Sequence, residues 1–198
     1  MKNLFVTYGI TGIIQLFFFK IRTKFIFSNA RIIRFPIRVR GRKSIKVEKG
    51  FTTGFNCRID AYPNSNNKKV INIGKNVQIN DYVHIGAVES IEIGDNVLIA
   101  SKVYITDHNH GNYKGENQDS PITIPQERPI YSKAVKIEKN VWLGEFVSIL
   151  PGVTIGEGSI IGSMSLVNSD IPKYSMAVGS PAKVIKKYNF DTNKWEKI

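Results

Sequence analysis

One cysteine in 198 residues, Cys57, can form no internal disulfide, and nothing in the sulfur content points to an oxidising compartment. Histidine is nearly as scarce. A three-histidine zinc site would consume His84, His108 and His110, yet two of these fall on one short loop, so no metal is expected. Acidic residues are absent from the first 46 positions, which hold eleven Lys or Arg. A long unbroken apolar run is missing too. The best stretch, residues 4–19, is interrupted by Thr7, Gly9, Thr11, Gly12 and Gln15, and falls short of the roughly 20 residues that a membrane span needs.

What is present repeats every six residues. Aliphatic residues open hexads at Val47, Ile73, Ile79, Ile93, Ile99, Ile137, Leu143, Ile149, Ile155 and Ile161, with Thr53 as the exception. Four positions on stands a small, β-branched or otherwise packable residue: Phe51, Cys57, Val77, Val83, Val97, Val103, Val141, Val147, Val153, Ser159 and Ser165. Seven of the eleven fourth positions are Gly or Asn (Gly50, Asn56, Asn76, Asn96, Asn140, Gly152, Gly158), the residues that adopt positive φ at least cost. A helix would place apolar residues at i, i+3, i+4 and i+7, and hairpin sheets turn at irregular intervals. A period of six with a corner in each repeat predicts an all-β, parallel β-helix, three hexads to a triangular coil. Cys57, at an inward position, reads as a core thiol.

The repeat divides the chain into a basic, apolar N-terminal segment (1–44), a β-helix domain (45–185) and a polar C-terminal tail (186–198). Irregular stretches interrupt it at 61–69, between Ile85 and Ile93, and most visibly at 107–134. A loop that long inside a compact domain is usually functional.

The formal charge of +12 suggests nucleic acid until it is mapped. Residues 47–198 carry 17 basic and 16 acidic groups, so the excess belongs to the N-terminal segment and nucleic acid is not an expected partner. Apolar residues followed by a basic run suit an amphipathic helix on an anionic membrane surface, each cation contributing about 1 kcal/mol. The expected location is therefore cytoplasmic and peripheral, at the inner face of the plasma membrane. The competing role is a cap over the open end of the solenoid. Dense positive charge after the apolar stretch disfavours a secretory signal.

Several motifs resemble the left-handed β-helix acyltransferases that use acetyl-CoA: Gly-Asp-Asn-Val-Leu-Ile-Ala (94–100), Thr-Asp-His (106–108), Asn-Val-Trp-Leu-Gly (140–144), Pro-Gly-Val-Thr-Ile-Gly (151–156) and Gly-Ser-Pro-Ala-Lys-Val-Ile (179–185). Arg-Phe-Pro-Ile-Arg-Val-Arg-Gly (34–41), Phe-Thr-Thr-Gly-Phe-Asn-Cys-Arg-Ile-Asp (51–60) and Asp-His-Asn-His-Gly (107–111) are most similar to the members that O-acetylate bacterial surface polysaccharides. The resemblance implies a homotrimer with sites between neighbouring solenoids, acetyl-CoA as co-substrate and a carbohydrate acceptor. The alternatives are an amino sugar, nucleotide sugar or small xenobiotic as acceptor, or a non-catalytic membrane-bound scaffold.

An alcohol attacks a thioester near neutral pH only as its proton is removed, and histidine is the side chain suited to that work. His108 matches the family's catalytic base, with His110 as its rival and as a candidate acceptor contact. His84 reads as a surface or inter-subunit residue. Asn80 and Trp142 match acceptor-facing positions of the family, and Glu145, Ser163, Asn168, Ser169, Lys183 and Lys186 match positions that touch CoA. Ser169 stands where lysine is common, and Glu145 replaces a smaller residue near the thioester. No glycine-rich phosphate loop is present, and the resemblance does not call for one.

Overall fold

The computed structural model describes residues 4–63 and 68–198. Three flat faces wind around one aliphatic core, in the chain order first, second, third. The first face stacks Ile37–Arg40, Cys57–Ala61, His84–Ala87, Tyr104–Thr106, Ser148–Ile149 and Leu166–Val167, all parallel. The second stacks Ile45–Val47, Ile71–Ile73, Ile91–Ile93, Val135–Ile137 and Thr154–Ile155. The third runs from Gln78–Ile79 through Leu98–Ile99, Trp142–Leu143 and Ile160–Ile161 to Ser175–Val178. This is the parallel β-helix that the hexads predict, left-handed as the family resemblance implies.

Every hexad opener is buried, and so are Ile59, Ile85, Ile105 and Val167, each six residues after an opener. Burying an aliphatic side chain of this kind contributes about 1.5–3 kcal/mol against leaving it in water. All eleven fourth positions have positive φ, Asn76, Asn96 and Asn140 at 55°, 58° and 60°. Their side chains form a ladder between coils, Asn76 donating to Asn96 at 3.2 Å and Asn96 to Asn140 at 3.3 Å. Cys57 is buried, and burial pushes its thiol up to about 11.

At both ends regular structure extends past the hexads. The solenoid starts before residue 45: Ile33 is fully buried, Ile32 bridges Thr52, and Ile37–Arg40 is already a rung of the first face. The stretch from Val39 to Val47 is two residues longer than a hexad, and the short turn Arg42–Ser44 lies within it. The C-terminal tail is ordered as well. Lys183–Asn189 and Lys194–Lys197 fold back as antiparallel strands on Ser175–Val178, and Tyr188 packs on Phe190 and Trp195.

One helix, α1 (Leu4–Ile26), precedes the solenoid, with a break at Gly9 where φ is 62°. Its C-terminal half is a lid on the first coil. Phe19 is buried against Phe35 and Phe55, and the buried Thr23 hydroxyl donates to Phe19 O and accepts from the Ile33 N–H. Elsewhere on the helix Val6, Ile10, Ile14, Phe17 and Phe18 are in solvent.

The interruptions leave from one edge, the corner between the first and second faces. Residues 61–69 do so (64–67 lie outside the described residues), as do 88–90 and 107–134. The last opens as a short antiparallel hairpin, His108–His110 against Ile130–Ser132, and Arg128 ties it together through Thr123 O and the Tyr113 hydroxyl.

Candidate active site

The hairpin strand carries both loop histidines, and their surroundings differ. His108 is mostly buried, and its Nδ1 lies 2.9 Å from Asp107 Oδ1. Asp107 is fully buried, gripped by the successive backbone N–H groups of Val88, Glu89 and Ser90 at 2.8–3.0 Å. Three consecutive amides converging on one carboxylate form an anion nest. Burial alone would raise the Asp107 pKa, but the bonds from His108 and from these amides outweigh it and hold the group below the usual carboxylate range. A carboxylate at Nδ1 fixes the proton there and leaves Nε2 with a free lone pair. His110 is exposed and has no carboxylate partner among the described residues.

Asp107 is the site residue that reading the sequence missed. The signal was present as the irregular stretch after Ile85, which exists to form the nest.

His84 sits one rung below on the same face, its Nε2 3.6 Å from Asp60 Oδ2 and its ring 5.2 Å from Tyr104. Burial first, and the Arg58 charge second, lower its pKa. It is thus half-buried and adjacent to His108 rather than a free surface residue.

The remaining candidates lie elsewhere on the chain. Asn80 is at the corner between the third and first faces, its amide oxygen accepting from Gln78 Nε2 at 3.1 Å. Trp142 points outward from the third face and is 49% exposed. Glu145 and Ser163 are exposed at the same corner as Asn80, and Ser163 abuts Gly144 so closely that a side chain at 144 would strike its backbone nitrogen at 2.7 Å. Asn168 and Ser169 are exposed beyond the last rung of the first face. Lys183 and Lys186 pair with Val178 and Met176 on the C-terminal strands. Within one chain, then, Asn80, Trp142, Glu145 and Ser163 gather along one edge, while His108 and His110 stand at the opposite edge of the first face.

A left-handed hexapeptide β-helix bearing a carboxylate-held histidine at the mouth of a long loop defines a class of acyl-group transferases. The model of the bacterial transferase hexapeptide (six repeats) family matches residues 134–169. WbbJ of Escherichia coli strain K12, an O-acetyl transferase by name assigned to lipopolysaccharide biosynthesis, is 47% identical over 191 residues, covering 96% of this chain and 95% of WbbJ. The Staphylococcus aureus (strain Mu50) acetyltransferase SAV2555 is 48% identical over 73 residues, covering 36% of this chain and 37% of its own. Among solved structures, AntD of Bacillus cereus, an N-acyltransferase in complex with a dTDP-amino sugar and coenzyme A, superposes with a TM-score of 0.69 at 21% identity, covering 87% of this chain and 90% of AntD. VCA0836 of Vibrio cholerae, with acetyl coenzyme A bound, gives 0.55 at 22% identity over 84% and 74% of the two chains. This chain belongs to the hexapeptide-repeat acetyltransferase family that includes WbbJ.

Proposed function

We propose that the protein moves acetyl from acetyl-CoA to a sugar hydroxyl in the assembly of a bacterial surface polysaccharide or its precursor. The observation that carries this reading is the nest-anchored Asp107–His108 pair, in a chain that matches WbbJ nearly end to end. His108 Nε2 accepts the proton of the acceptor hydroxyl as its oxygen attacks the thioester carbonyl. The Asp107 carboxylate stabilises the imidazolium that forms. Collapse of the tetrahedral species expels the CoA thiolate, which takes the proton back from His108. No acyl-enzyme on sulfur is involved, since Cys57 is buried with its thiol held protonated.

The separation of the two edges within one chain supports a homotrimer in which one subunit's Asn80, Trp142, Glu145 and Ser163 face a neighbour's His108 and His110. In that arrangement Lys183 and Lys186 pair with the CoA phosphates, and Asn168 and Ser169 flank its pantetheine arm. The solvent-facing apolar residues of α1, with the cations that follow it, hold the enzyme at the cytoplasmic face of an anionic membrane while Phe19 and Thr23 cap the solenoid.

Thiol release from acetyl-CoA, measured against oligosaccharides, nucleotide sugars, amino sugars and small amines, tests the reaction. Release stimulated by a carbohydrate, with an ester formed on the acceptor, is the expected result. Stimulation by amines alone would overturn it.

A further inference from the structure

Below His108 the first face carries a column of side chains whose register is fixed by the parallel ladder: Arg40 beside Asp60, Asp60 beside Gly86, Gly86 beside Thr106. Neighbouring rungs are about 4.8 Å apart. Asp60 is 1% exposed. Its Oδ2 is bonded by Arg58 Nε and faces His84 Nε2 at 3.6 Å. Its Oδ1 is buried with no hydrogen-bond partner among the described residues, and Arg40 Nε lies 3.8 Å from it. Arg40 spends one guanidinium N–H on the Tyr62 hydroxyl at 2.8 Å. A buried carboxylate oxygen without a donor is costly, and such atoms in folded proteins are normally satisfied by a ligand or water.

Directly above Asp60 the column has a gap. A Cβ at Gly86 would sit 3.7 Å from both His84 Nε2 and His108 Cε1 and would touch nothing closer. Gly86 is not in the left-handed region, so its backbone does not require glycine. What the missing side chain provides is a notch between the two imidazoles, one rung above Asp60.

Resting on the sugar-acceptor reading above, we propose that Asp60, His84 and the Gly86 notch form an acceptor subsite. It binds a second hydroxyl of the same sugar ring whose reacting hydroxyl lies at His108. Asp60 Oδ1 accepts from that second hydroxyl and neutral His84 bonds its oxygen, while Arg58 and Arg40 hold the carboxylate in place. The ligand class is a pyranose with at least two free hydroxyls on the edge it presents to the first face, and a deoxy sugar lacking the second hydroxyl is discriminated against.

The alternative is that Asp60 is only the counter-ion of Arg58 and that Gly86 has no role. Gly86→Ala separates the two because its Cβ meets only ordinary contacts and should fold like the native chain. With the acceptor identified by thiol release, Gly86→Ala and Asp60→Asn should each lower acceptor kcat/KM about 10- to 100-fold, mostly through KM, with acetyl-CoA Kd unchanged. One monodeoxy analogue of that acceptor should show a comparable loss with the native enzyme and little further loss with Asp60→Asn. Native efficiency within twofold in Gly86→Ala, together with no penalty for any deoxy analogue, would overturn the subsite and leave O-acetyl transfer standing. No transfer to any carbohydrate by the native enzyme, with CoA binding intact, would overturn both.

Discussion

His108 and His110 stand two residues apart on one short strand, yet their chemistry diverges because a carboxylate meets only the first of them among the described residues. His108→Ala should lower kcat by roughly 10²–10⁴ fold with little change in acetyl-CoA affinity, while His110→Ala should cost far less and mainly in acceptor KM. A large loss confined to His110→Ala would move the base along the strand. Asp107 bears on stability as well. Its folded pKa lies below the ordinary carboxylate value near 4, so its stabilising bonds are fully present above that pH and are lost as pH falls through the folded pKa. Asp107→Asn should therefore cost about 1–3 kcal/mol at neutral pH, and thermal melts of the two proteins should converge on acidification. A gap that persists at acid pH would mean that the nest does not read the charge. A second residue-scale observation concerns the corners. Between the second and third faces, positive φ falls to Gly50, Asn76, Asn96, Asn140, Gly158 and one bulky residue, Tyr174, but between the third and first it falls to Asn56, then Tyr82, Lys102, Phe146 and Met164. A bulky residue in that conformation costs about 1–2 kcal/mol. The cost is concentrated on the edge that carries Asn80, Glu145 and Ser163, where large exposed side chains border the proposed cleft.

At the scale of elements, the hexad openers were legible because inward aliphatics and positive-φ corners leave marks at fixed spacing that no helix shares. The site columns were not, and the reason is arithmetic. Arg38, Arg58, His84, Tyr104, Ser148 and Leu166 stack in register, yet the interruptions at one corner make their separations in sequence unequal. Counting coils at a constant length puts Asp60 and His84 out of line with His108. Likewise, α1 could be read as a membrane element or as a cap; Phe19 and Thr23 pack on the first coil, whereas Val6, Ile10, Phe17 and Phe18 face solvent. Replacing Val6, Ile10, Phe17 and Phe18 with serine should abolish flotation with anionic liposomes without lowering Tm, since these side chains are exposed. Phe19→Ala should instead cost about 3–5 kcal/mol, as the truncation of a buried aromatic does. Flotation unaffected by the four serines would remove the membrane role and leave the cap.

For the whole molecule, the expected solution species is a trimer, and light scattering should return close to three times 22.3 kDa. Mixing His108→Ala with Asn80→Ala subunits offers a sharper check, because a cleft built from two chains regains one native site in each mixed interface of the right polarity. Recovery of activity in co-refolded mixtures is expected, and none would place both residues' work within one chain. The single-edge arrangement of the interruptions has a bearing on inheritance. Two corners keep every coil locked to its neighbours, and the 28 residues between Thr106 and Val135 depart and return without shifting the pairing of Ile105 with Ile149 or of Ile93 with Ile137. Changes of length or composition on that third edge are therefore insulated from the stack. Beyond the hairpin of His108–His110 and Ile130–Ser132, residues 111–129 can therefore be exchanged between lineages as a cassette while the scaffold and the Asp107–His108 pair stay in place.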